Sequence, residues 1–247
     1  MSGHSKWSTI KRKKGAADAK RSKIFSKIVK EIAIAVKEGG TDPEANPRLR
    51  LAVNNAKGVN MPKDNVERAI NKADKGGDSF EAMSFEGYAP NGIAIFVDCL
   101  TDNKNRTVSN VRAIFTKYNG SLGTNGSLTF LFDTKGIFTF PVPDGIDMEE
   151  LELEMIDAGA EDIEVDEGLI TITTAKEDFG NVQKKLDSME IEIENAGLQR
   201  IPNDTKALDV ESALKVLKMI DAFEDDDDVQ NVYHSLELTD EVAEAME

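Results

Sequence analysis

The order of segments between residues 137 and 201 decides the fold: IFTF (137–140), DMEELELEMIDA (147–158), IEVD (163–166), a turn at Glu167-Gly168, LITIT (169–173), KEDFGNVQKKLDSM (176–189) and LQRI (198–201). The short runs are rich in β-branched and apolar residues, whereas the two longer ones repeat apolar residues at three- and four-residue steps. The spacing predicts strand, helix, strand, strand, helix, strand over 135–202, which is the βαββαβ, ferredoxin-like unit.

The flanking pieces complete a second sandwich. Strands at 84–88 and Ile93 to Leu100 surround a Pro90-Asn91-Gly92 turn. A helix carrying Val108, Val111, Ile114, Phe115 and Tyr118 follows, stopped by Asn119-Gly120, and Leu128 to Phe132 reads as a strand. After residue 202 come a helix from Ala207 to Phe223 and an extended stretch from Val229 to Leu236. Residues 79–134 plus 203–247 are therefore expected to form one α/β domain with an acidic surface, into which the 135–202 domain is inserted.

Upstream the period is helical. Ile24, Phe25, Ile28, Val29, Ile32 and Val36 mark a helix from Ala16 to Lys37, ended by Gly39-Gly40. Asn46-Pro47 reads as an N-cap and first helical residue, opening a helix with Leu49, Val53 and Ala56 inward and Gly58 as its stop. Pro62 opens a third, with Val66, Ile70 and Ala73 periodic. Residues 21–78 are expected to be a three-helix domain, and 1–20, poor in apolar residues, a mobile basic arm. The fold class is α+β: an N-terminal helical domain, then two ferredoxin-like α/β domains, the second inserted into the first.

The 247 residues hold 30 Lys+Arg against 46 Asp+Glu, a net charge of −16 that argues against phosphate binding by the chain as a whole. The charge is divided unevenly. Residues 1–75 hold 18 Lys+Arg and 8 Asp+Glu, net +10, and residues 76–247 hold 12 and 38, net −26. This points to a basic interaction module joined to an acidic body. One cysteine excludes an internal disulfide, and with two histidines it cannot complete a four-ligand zinc site. The longest aliphatic run, Ile32 to Val36, is too short for a membrane span or signal core, so a cytoplasmic chain without membrane contact is expected.

Catalysis finds no support. Cys99 lies within an apolar strand and reads as a buried, inert thiol. His4 and His234 have no triad partner in sequence. The acidic run Glu224 to Asp228 lacks the ligand spacing of a calcium loop and reads as a solvated loop. The glycine-rich stretch Asn119 to Ser127 follows a helix and precedes a strand, the reverse of a phosphate loop, and reads as a flexible connector, or else as a backbone contact for RNA or protein. No cofactor and no metal are expected.

The strongest constellation is at the start of the chain. Residues 1–30 carry Lys6, Lys11, Arg12, Lys13, Lys14, Lys20, Arg21, Lys23, Lys27 and Lys30 against Asp18 alone, net +9. Such cations bind phosphates by counterion release, and Trp7 beside His4 supplies a ring that can stack on a base. At roughly 100° per residue, Lys20, Lys23, Lys27 and Lys30 share a sector away from the apolar stripe. The alternative is a solvated tail with Trp7 folded onto the helices.

The chain resembles the YebC/PmpR family, whose relatives include the mitochondrial translational activator of cytochrome c oxidase subunit I. The residues carrying the likeness are Gly3-His4-Ser5-Lys6-Trp7, Asp18-Ala19-Lys20-Arg21 to Phe25, Asn46-Pro47-Arg48-Leu49-Arg50, and Asn60-Met61-Pro62-Lys63-Asp64-Asn65. Glu86-Gly87-Tyr88, Thr101-Asp102-Asn103-Lys104-Asn105-Arg106-Thr107, Phe132-Asp133 and Asp228-Val229-Gln230-Asn231-Val232-Tyr233 extend it. Ala89 and Asn91 replace glycines frequent in the family, and Thr134 stands where a basic residue is common. The resemblance implies a helical domain and two α/β domains, no enzymatic activity, and a nucleic-acid-binding regulator, of transcription in many bacterial relatives and of translation at the ribosome in others.

Three functions follow. A translation factor would place the arm and helical domain against ribosomal RNA, whose crevices suit an unfolded cationic segment. A transcriptional regulator on DNA would need base-reading residues, for which Arg48, Arg50 and Asn54 are candidates, although Asn46-Pro47 and Asn60-Met61-Pro62 serve equally as caps. An adaptor would use the acidic body against a basic partner such as a ribosomal protein or RNA polymerase.

Overall fold

In the computed structural model the described residues are 18–77, 79–166 and 168–246, with side chains described from Arg21 onward. The fold is α+β, with N-terminal helices followed by two four-stranded antiparallel sheets. Contacts divide the described chain into two units, 18–30 with 79–133 and 201–246, and 31–77 with 134–200. Of the expected arm, residues 1–20, positions 1–17 and the side chains of 18–20 lie outside the described residues, and the backbone of 18–20 is the start of a helix.

In the first unit, the opening half of helix α1 (Asp18–Gly39) joins a sheet made of β1 (Glu81–Ala89), β2 (Ile93–Thr101), β3 (Ser121–Leu122) and β8 (Val229–His234). Their order is β3-β1-β2-β8. Strand β2 is buried on both faces. Ile93, Ile95, Val97 and Cys99 face helices α4 (Lys104–Lys117) and α7 (Val210–Glu224), packing with Val111, Phe115, Val216, Ile220 and Phe223. Ala94 and Phe96 point the other way, onto Leu128, Phe132 and Tyr233. Period-two alternation serving two cores explains why this strand reads as an unbroken apolar run.

The second unit contains the predicted βαββαβ series: β4 (Phe132–Pro141), α5 (Met148–Asp157), β5 (Ala160–Asp166), β6 (Leu169–Ala175), α6 (Phe179–Ser188) and β7 (Asn195–Pro202). Its strand order, β5-β6-β4-β7, is the ferredoxin-like one. Phe138, Phe140, Ile170 and Ile172 meet Leu151 and Met155 of α5 and Val182 and Leu186 of α6. The remainder of α1, with α2 (Pro47–Gly58) and α3 (Lys63–Asp74), belongs to this unit.

Three elements differ from expectation. Leu128 to Phe132 is not a strand: Thr129–Leu131 forms a 3-10 turn, and β4 begins only at Phe132. Leu128 and Phe132 are buried together while Phe130 between them is 72% exposed, a spacing that a turn satisfies. The edge strand of the first sheet comes instead from the glycine-rich stretch, where Ser121 and Leu122 pair with Tyr88 and Gly87. Gly87 permits that approach, since a Cβ there would stand 2.4 Å from the Ser121 carbonyl oxygen and 2.7 Å from the Phe115 ring. The short helix α8 (Asp240–Glu244), unforeseen from sequence, tucks Val242 into the first core.

Candidate functional site

The acidic run after α7 is the centre of a polar cluster in the first unit. Asp228 is 2% exposed, so the reading of 224–228 as a wholly solvated loop is corrected at this residue. Its carboxylate accepts from Arg106 Nη2 (2.8 Å to each oxygen) and Nε (3.1 Å), from Lys30 Nζ (3.1 Å) and from Thr107 Oγ1 (2.9 Å). Because the carboxylate only accepts, Thr107 donates to it. Its own oxygen then accepts from the Thr101 hydroxyl at 2.7 Å, and Thr101 in turn accepts from the Asn103 N–H at 2.9 Å. Asn103 caps α4 by accepting from the Arg106 N–H at 3.1 Å, which aims the Arg106 side chain at the loop.

Electrostatics fix the charge state. Burial is the largest influence on Asp228 and pushes its carboxyl upward, but the bonds from Arg106, Lys30 and Thr107 together outweigh it and hold the group below the ordinary carboxylate range. The bond to Asp228, then that to Asp102, raises the Arg106 guanidinium. A shallow cleft of about 550 Å³ opens over the cluster, lined by Lys30, Phe80, Asp102, Arg106 and Asn110 along with the 225–228 loop. Among the described residues, no group of His, Cys, Asp or Glu is placed to hold a metal ion.

The lysine sector of α1 meets this same loop. Lys23 Nζ bonds Asp225 Oδ1 (2.6 Å) and the Asp225 carbonyl (3.2 Å). Lys27 Nζ donates to the Gln230 carbonyl at 3.1 Å, and Lys30 Nζ to the carbonyls of Asp227 (2.7 Å) and Leu100 (3.1 Å). The helical spacing places Lys23, Lys27 and Lys30 on a basic face of α1, and in the structure each of them donates to acceptors within the chain. The acceptors are the carboxylates of Asp225 and Asp228 and the carbonyls of Leu100, Asp225, Asp227 and Gln230.

The other expected site residues are placed as follows. Arg21 is exposed at the start of α1. Arg48 pairs with Glu38 at 2.6 Å and Glu31 at 3.4 Å, and Arg50 donates to the carbonyls of Glu44 (2.6 Å) and Pro43 (3.1 Å). Asn46 is a buried cap that accepts from the Leu49 N–H and donates to the Ala35 and Gly40 carbonyls. His4, Lys6, Trp7, Lys11, Arg12, Lys13 and Lys14 lie outside the described residues.

Cys99 is buried on β2, as expected. Burial first, then the carboxylates of Asp226, Asp98 and Asp228, push its thiol up to about 12, while Lys30 opposes them. A thiol held there is almost wholly protonated at pH 8. Native protein is expected to leave Ellman's reagent unreacted over hours and to release one equivalent of product once unfolded in guanidinium. Fast reaction of the native form would contradict the burial.

Sequence reasoning missed Arg106, Thr107, Thr101 and Asp228 as a group. The available signal was the pair of polar motifs Thr101 to Thr107 and Asp228 to Tyr233, each beside a strand end.

Comparison with known proteins accords with this architecture. A family model described as "TACO1/YebC protein N-terminal domain" matches residues 5–76, and one described as "TACO1/YebC second and third domain" matches residues 80–236. A protein of Amoebophilus asiaticus named "Probable transcriptional regulatory protein" is 54% identical over 239 residues, covering 96% of this chain and 98% of its own. One of the same name from Geotalea uraniireducens is 49% identical over 248 residues, with all of both chains covered. The crystal structure of a conserved hypothetical protein from Aquifex aeolicus superposes with a TM-score of 0.82 at 42% identity, over 91% of this chain and 93% of that one.

Proposed function

The chain belongs to the TACO1/YebC family, and on that premise we propose that it is a non-enzymatic regulator of gene expression that grips nucleic acid with residues 1–21, acting in translation on ribosomal RNA. The observation carrying this reading is the engagement of Lys23, Lys27 and Lys30 by the 225–230 segment. It leaves the recognition charge to Lys6, Lys11, Arg12, Lys13, Lys14, Lys20 and Arg21, seven cations against Asp18, net +6. A short basic segment with Trp7 and His4 suits the crevices and unstacked bases of folded RNA.

Action on DNA is the second reading, favoured by the names of the relatives. A groove-reading helix needs arginines free to meet base edges. Arg48 and Arg50, two of the three candidates on α2, are instead tied to Glu31, Glu38, Pro43 and Glu44. That weighs toward RNA.

If about six phosphates are neutralised, log affinity falls with log salt at a slope of about −4 on single-stranded RNA and about −5 on duplex DNA. Deleting residues 2–17 removes five of the seven cations and is expected to bring the slope to about −1. Fluorescence anisotropy across a salt series checks this, and unchanged binding by the deleted chain sinks the reading. Cross-linking in cells followed by sequencing separates the two targets: enrichment of promoter DNA without ribosomal RNA would reverse their order.

A further inference from the structure

Between Lys135 and Lys176 the chain has twelve Asp and Glu residues and no Lys, Arg or His. Within that span, helix α5 buries Leu151 and Met155 against the second sheet, yet its opposite side carries Leu153, 66% exposed, and Ile156, 59% exposed. Successive residues turn by about 100°, so Leu153 lies roughly opposite Leu151 and Ile156 lies beside it, with Glu149 and Asp157 on the same outward arc and Glu150 and Glu152 at its margins. All four acids are exposed.

A further exposed apolar side chain lies on the neighbouring strand. β5, against which α5 packs, is an edge strand of the sheet. Val165 on it is 54% exposed and pairs with the buried Ile170, so it sits on the helix-bearing face of the sheet but beyond the cover of the helices. Three of the large exposed apolar side chains thus belong to one helix and the strand beneath it. A solubilising surface helix has no need of leucine and isoleucine at its outward centre.

We propose that the outward face of α5, centred on Leu153 and Ile156, is a docking surface for a Lys/Arg-rich amphipathic segment of a partner protein. Charge complementarity identifies the occupant. The apolar centre requires apolar anchors, and the exposed carboxylates of Glu149, Glu150, Glu152 and Asp157 around it, on the side away from the Lys185–Glu154 pair, repel nucleic acid and anionic lipid while attracting flanking cations.

The test uses the full-length protein and a fluorescent 18-residue helical peptide of leucine and lysine, with a scrambled peptide of equal composition as control. The wild type is expected to bind the amphipathic peptide at least tenfold more tightly than the scrambled one. The Leu153→Gln/Ile156→Gln variant should lose that preference at an unchanged thermal melting curve, both residues being on the surface. The Glu149→Gln/Glu152→Gln variant should bind with a shallower salt dependence. Equal binding of both peptides by the wild type, or an undiminished preference in the Leu153→Gln/Ile156→Gln variant, overturns the proposal. So does sedimentation showing a dimer that this variant abolishes, since a second copy would then be the occupant.

Discussion

Replacing Asp228 with alanine is expected to destabilise the first unit by about 3 kcal/mol at neutral pH, because it strands the partly buried ammonium of Lys30 and removes the acceptor of Thr107 and Arg106. The loss has a location as well as a size. Lys23, Lys27 and Lys30 hold the first half of α1 to the 225–230 segment, so amide hydrogen exchange over residues 20–31 and 100–107 should accelerate in the variant while residues 150–190 keep their protection. Urea titration followed by far-UV circular dichroism reads the energy, and an unchanged midpoint and exchange pattern would show that the cluster is incidental. Asp228→Asn keeps the shape and removes the charge, and should fall between wild type and Asp228→Ala.

The pH dependence has a definite sign. The folded-state carboxyl of Asp228 is held below its ordinary value, so folding releases a proton more readily there than the unfolded chain does. Its stabilisation is complete above the unfolded value of about 4 and is lost as pH falls through the lower folded value. The gap between wild type and Asp228→Ala should therefore be constant from about pH 5 to 7 and close below about pH 4. A gap that widened on acidification would contradict the assignment.

The same cluster marks what a single sequence conveys. Helix α2 begins where Asn46-Pro47 said it would, because capping is a local interaction over three residues. The lysine sector of α1 was equally legible, since helical geometry places it. Its destination was not: Lys30 and Asp228 are 198 residues apart, and an acidic run reads as solvated until a partner is found. Thr101 and Thr107 are buried polar residues whose hydroxyls have a purpose only once that carboxylate is present. Leu128 to Phe132 reads as a strand but forms a turn for a related reason, as the apolar residues there serve the far face of a sheet formed by distant strands.

Gly58 is a sharper instance, because helix propensity and packing predict opposite outcomes for one substitution. It is the last residue of α2 and has no positive φ, so propensity alone would favour alanine there by up to about 1 kcal/mol. In the structure a Cβ at Gly58 would stand 1.8 Å from the Glu194 carbonyl oxygen, a backbone atom whose own residue donates its N–H to the Thr139 carbonyl at 3.0 Å on β4. Neither side can yield cheaply. Leu51, Asn55 and Gly58 follow one another at i, i+4 and i+7, so they form a second contact face on α2 beside the Leu49, Ala52 and Ala56 face. Along it Leu51 packs on the second core, and Asn55 exchanges two bonds with the Ala196 backbone, donating to its carbonyl at 2.8 Å and accepting from its N–H at 2.9 Å. Gly58→Ala is accordingly expected to cost about 3 kcal/mol through overpacking despite its better propensity, and Asn55→Ala about 2 kcal/mol through two unsatisfied backbone groups. Hydrogen exchange at residues 191–197 should rise in both, and the double variant should cost less than the sum because both open the same seam. A Gly58→Ala protein more stable than wild type would show that the glycine only ends a helix and that α2 does not rest on the second sheet through this face.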